Sequence, residues 1–133
     1  MAITIIFRWK QQTRGGVYER FYDRDENAYK LWEEDMKTYV LMTKLSPEVS
    51  RQMKDRAAIG RAWLDQVREK CPEVNFIIHL ALLGPYDFLD IYEAPDEETA
   101  AKVSMISSSN GALVAESWSA IPYKRFLELT KEI

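Results

Sequence analysis

Two apolar runs separated by four turn residues constrain this chain more than any other feature. Residues 75–83 read NFIIHLALL and residues 88–93 read FLDIYE, with Gly84-Pro85-Tyr86-Asp87 between them. Both runs are rich in β-branched and aromatic residues, and glycine and proline punctuate the gap, so they form a β-hairpin. If the turn is residues 84–87, Leu83 faces Phe88, Ala81 faces Asp90 and His79 faces Tyr92. Alternate residues then fall on opposite faces. One face is Phe76, Ile78, Leu80, Leu82, Leu89 and Ile91, wholly apolar and expected against helices. The other is Ile77, His79, Ala81, Leu83, Phe88, Asp90 and Tyr92, too apolar for bare water and too polar for a dry core.

The flanks supply the rest of a layered domain. Residues 38–45 (TYVLMTKL) predict a strand that closes on Ser46-Pro47-Glu48. Serine as N-cap, proline in the first turn and an acid at the positive end start a helix there. It continues towards Cys71, re-initiated at Asp55, with Ile59, Trp63, Val67 and Cys71 as an apolar stripe, and Pro72 stops it. A second helix opens at Pro95-Asp96-Glu97-Glu98 and ends at Asn110-Gly111 in a left-handed C-cap. Residues 112–121 form the last strand, and residues 122–133 a short helix carrying Phe126 and Leu129. The order βαββαβ predicts an α+β, ferredoxin-like layer: an antiparallel four-stranded sheet with both helices on one face.

A chain of 133 residues makes one layered domain, and a net charge of -3 with interspersed signs does not recommend nucleic acid. The apolar runs are too short to span a membrane. Cys71 is the only cysteine, which excludes an internal disulfide and fits a reducing cytoplasm.

The mixed face holds the candidate site. His79 and Asp90 lie within reach across the hairpin and are the candidate acid–base pair, weighed against a satisfied structural pair. Tyr39 and Phe88, with Tyr92, Glu116 and Trp118, are expected to line a cavity closed by a second subunit. His79, Asp90 and Glu116 lack the spacing of a ligand set, so no metal and no cofactor is expected. Tyr86 and Asp87 read as turn chemistry, Asp87 bonding nearby backbone.

At these residues the chain resembles the GYD-domain family, small members of the dimeric α/β-barrel superfamily. The resemblance rests on TYVLMTKLSPE from Thr38, GPYDFLDIYEAPDEETA from Gly84, and the small-residue end of the second helix. It covers roughly residues 37–126, with Gly-Tyr-Asp interrupted here by Pro85. It implies a sheet-to-sheet homodimer closing a barrel around a ligand space. The functional expectation is a small-molecule-binding or accessory interaction module in the cytoplasm. The alternative is a cofactor-independent enzyme, of monooxygenase or isomerase type, acting on a small aromatic or carbonyl compound. Residues 1–35 depart from the family pattern. They carry a strand-like ITIIFRW, a Gly15-Gly16 break and a helical stretch with Tyr29 and Trp32, and are expected to form an arm that docks a protein partner. Residues 36–133 are the domain proper.

Overall fold

The computed structural model describes residues 36–133, together with the backbone of two strands, β1 (Ile5–Lys10) and β2 (Val17–Tyr22). These two pair antiparallel as a separate sheet, Lys10 opposite Val17. The expected strand at ITIIFRW is thus present from Ile5. The Gly15-Gly16 break and the helix expected around Tyr29 and Trp32 lie outside the described residues.

The domain runs β3 (Lys37–Leu45), α1 (Pro47–Arg51), α2 (Arg56–Lys70), β4 (Asn75–Ala81), β5 (Phe88–Ala94), α3 (Glu97–Ser109), β6 (Ala112–Ala120) and α4 (Tyr123–Thr130). The sheet order is β4-β5-β3-β6, every neighbouring pair antiparallel. This is the ferredoxin-like α+β order that the sequence predicts. Local signals act as expected at the helix ends. Ser46 Oγ accepts from the Val49 amide, Pro47 opens α1, and Asp96 accepts from the Thr99 amide at 2.8 Å. Gly111, at φ +97°, carries the chain from α3 into β6.

The core joins Tyr39 and Leu41 of β3 and Tyr92 and Ala94 of β5 to Val67 of α2, Cys71 just after it, and Ala100, Val103 and Ile106 of α3. Both long helices therefore cover one face, but not the face expected. The helix-packed face carries Tyr39, Leu41 and Thr43, paired with Tyr92, Asp90 and Phe88, and then Phe76, His79 and Ala81 of β4. Val40, Met42, Leu89, Ile91, Ile78 and Leu80 look outwards.

Two features account for this inversion. A bulge at Ile77 switches Phe76 onto the His79 face. The core also satisfies its polar groups. Tyr92 shares a 2.7 Å hydrogen bond with Ser117, and Trp63 donates to Ser107 at 2.8 Å. A mixed face can thus be interior, while the more apolar face is outside. The register is also displaced by two from expectation: His79 lies opposite Asp90 and Ala81 opposite Phe88. The connection is longer than four residues, the Leu82 amide reaching the Asp87 carbonyl at 2.8 Å. An even shift preserves faces.

Asp87 does more than close its own turn. Its carboxylate Oδ2 accepts from the Leu45 amide at 2.7 Å, and its amide donates to the Thr43 carbonyl at 2.8 Å. The β3–β6 register slips between Lys44 and Leu45, and the Asp87 carboxylate receives the Leu45 amide at that slip. Asp87→Ala should therefore destabilise the domain by about 1–3 kcal/mol in urea unfolding, the cost of stranding a part-buried donor. Asp87→Asn should lose less, and equal stability of all three proteins would refute the role.

Candidate functional site

A cleft of 670 Å³ opens between α2 and the β4–β5 hairpin. Its walls are Trp63, Phe76, Ile77 and Phe88, with Arg56, Gly60, Arg61 and Leu64 along α2. His79 and Asp90 face it together. The imidazole is sandwiched between Trp63, 6.2 Å away at 27°, and Phe88, 5.4 Å away at 24°. Nδ1 is hydrogen-bonded to Asp90 Oδ1. That contact fixes which nitrogen is committed to the sheet and leaves Nε2 for the cleft.

The two partners sit in different environments: the Asp90 side chain is 2% exposed and that of His79 is 55% exposed. Burial pushes the Asp90 carboxyl up, opposed by its bond to His79. The hydrogen bond to Asp90 holds the His79 imidazole above its ordinary 6.5. A proton is therefore retained by the pair to higher pH in the folded than in the unfolded chain. Wherever the folded state holds more protons, stability falls as pH rises. The His79 contribution should be complete below pH 6.5 and fade as pH climbs through its raised value. Urea midpoints across pH 5 to 9 should show this decline in the native protein and not in His79→Gln; parallel profiles would refute the coupling.

The five residues expected to line one cavity are divided among three places. Phe88 lines the cleft with His79 and Asp90. Tyr39 and Tyr92 are core residues, their rings stacked at 5.5 Å and both at most 2% exposed. Burial pushes the Tyr92 hydroxyl up to about 12, which makes it a hydrogen-bond donor rather than a base. The Tyr39 hydroxyl is buried without a partner among the described residues. Glu116 and Trp118 lie on the outer face, where the Trp118 indole donates to Glu116 Oε2 at 2.9 Å. Tyr86 leans onto the same carboxylate at 3.4 Å and sets its ring edge-on to Trp118 at 6.5 Å. Tyr86 is thus an outer-face residue and Asp87 a strand stitch, rather than two parts of one local turn.

Sequence reasoning placed Trp63 in a packing stripe and passed over Gly60 and Arg61. A glycine amid the helix-forming run RAAIGRAWLDQVREK was the available signal. Among the described residues no three His, Cys, Asp or Glu side chains are placed to hold a metal ion, and no helix is long and apolar enough to cross a membrane.

The glutamine synthetase and cystathionine beta-lyase binding protein of Thermus thermophilus is 34% identical over 59 residues. That stretch spans 44% of this chain and 62% of the relative's length. No solved structure matches the chain. The GYD domain profile matches residues 39–130, most of the sequence and nearly all of the four-stranded sheet with its helices, and the chain belongs to the GYD-domain family.

Proposed function

We propose that this chain is an accessory interaction module that pairs with a second copy through its outer sheet face and attaches to a metabolic enzyme. The outer face carries the reading. Val40, Leu89 and Ile91, each half-buried, and Met42, buried at 7% exposure, form its middle, while Leu80 and Trp118 at the two edge strands are 44% and 48% exposed. Ile121, Tyr123 and Phe126 are exposed close by in sequence. An apolar sheet face of this extent is the kind that proteins cover. Face-to-face packing of two such sheets would bury Tyr86, Glu116 and Trp118 at the seam and close a barrel.

The name of the Thermus relative supports the enzyme-binding half, since it describes a protein that binds glutamine synthetase and cystathionine beta-lyase. Residues 36–133 are assigned as the dimerising domain and residues 1–35 as the arm available to the enzyme, in the cytoplasm. Sedimentation equilibrium at micromolar concentration tests self-association, and a monomer sinks it. Biolayer interferometry against the two purified enzymes tests the partner class, and no binding to either removes that half.

A second reading rests on the His79–Asp90 pair. An imidazole oriented by a buried carboxylate, with Nε2 facing an apolar cleft, has the geometry of a general base for a cofactor-independent reaction on a small aromatic or carbonyl compound. Turnover lost in His79→Gln would favour it.

A further inference from the structure

Helix α2 diverges from the sheet towards its N terminus. Val67 and Cys71 are buried, Ile59 and Trp63 are half-buried, and Ala57 and Gly60 are exposed. The widening gap is the cleft. Gly60 stands in the middle of α2, where glycine weakens a helix relative to alanine. Close packing does not require it, because a Cβ there would meet no atom within 4 Å. What the missing side chain does is keep this wall of the cleft open.

The charges around the opening are unequal. Arg56, Arg61 and Arg68 line it, against Asp65 and the His79-bound Asp90. Asp65 is within 3.9 Å of Arg68. Arg61 has no hydrogen bond or ion pair among the described residues, whereas Arg56 gives Nη2 to the Ser50 carbonyl at 3.0 Å and keeps only its buried Nε without a partner there. His79 Nε2 is likewise uncommitted among them, because the imidazole's bond to Asp90 uses Nδ1. Donors at the rim and aromatic rings on the walls define one kind of guest.

We propose that this cleft binds an apolar aromatic monoanion, its ring against Trp63 and Phe88 and its acidic group held by His79 Nε2 and Arg61. A cation would meet the unpaired guanidinium of Arg61, and a polyphosphate would leave the aromatic walls uncovered. This site lies on the face opposite to the outer sheet surface, so its test is separate from that of dimerisation; it shares the His79–Asp90 pair with the second reading, and binding without turnover separates the two.

Three compounds that share one ring and differ in charge provide the test: indole-3-acetate, indole-3-acetamide and tryptamine, titrated into the full chain by calorimetry and by NMR. Indole-3-acetate should bind, shift the His79 and Phe88 resonances, and exceed the amide by about tenfold, with tryptamine weakest. Gly60→Phe should abolish acetate binding by filling the gap, while Gly60→Ala should retain it. Arg61→Gln changes an exposed side chain and so keeps the fold; it should weaken the acetate and leave the amide unaffected. Equal binding of all three compounds, binding of none, or acetate binding untouched by both Gly60→Phe and Arg61→Gln would overturn the proposal.

Discussion

In the proposed face-to-face dimer, replacing Leu80 and Trp118 together by lysine should leave a monomer at micromolar concentration. The two residues lie on β4 and β6, the opposite edges of the sheet, so the pair brackets the outer face. Each is partly exposed in the single chain, so the change costs little internal packing. In a face-to-face dimer both would be buried, and an unpaired lysine there loses its hydration without a partner. Loss of an anchoring tryptophan from an interface commonly costs about 2–4 kcal/mol, about 30- to 1,000-fold in dissociation constant, so Trp118 should carry most of the effect. Analytical ultracentrifugation reads the shift directly, and circular dichroism checks that the monomer keeps its helices. A double variant that sediments like the parent would move the interface elsewhere. Phe88, the residue that sequence alone suggests for this experiment, lines the α2 cleft instead and would test a different surface.

The reason for that exchange is instructive about what sequence carries. Element order, helix caps and the Asn110-Gly111 stop are local signals, and each acts through backbone groups within a few residues of itself. They fix βαββαβ, and right-handed crossovers then fix the sheet order. The His79–Asp90 bond was legible for a related reason: period two places both on one face, and an error of two in register leaves them there. Which face meets the helices is another matter. Hydropathy ranks Leu80, Leu89 and Ile91 above His79, Asp90 and Tyr92, and so favours the wrong face. The deciding contacts are tertiary: Tyr92 with Ser117, Trp63 with Ser107, and the buried Asp90 with His79. None involves neighbours in sequence, and each makes a polar group affordable inside. The bulge at Ile77 is equally invisible to a strict alternation. Asp87 shows the same limit, since its acceptor role reaches Leu45, 42 residues earlier.

Gly111→Ala should be the most damaging glycine-to-alanine change among the described residues. Two independent costs meet at that position. Its φ of +97° lies where a side chain clashes with its own backbone, at about 1–2 kcal/mol. The new Cβ would also stand 2.4 Å from Val49 Cγ2 and 3.2 Å from Val49 Cβ, so α1 must move. Overpacking of this kind costs about 1–3 kcal/mol. The junction has little freedom to yield, because the Ser46 amide is bonded to the Gly111 carbonyl at 2.9 Å, tying the start of α1 to the end of α3. The sum, about 2–5 kcal/mol, is a large share of the roughly 5–15 kcal/mol that hold a domain folded. Val49→Ala separates the two costs. Trimming Val49 removes the Cγ contact and leaves the backbone conformation as it is, so the double variant should recover part of the loss and retain about 1–2 kcal/mol of it. Chemical unfolding of the four proteins in the cycle supplies the coupling energy. A coupling near zero would mean that Val49 is not what Gly111 makes room for, and a neutral Gly111→Ala would mean that the chain leaves α3 by another path.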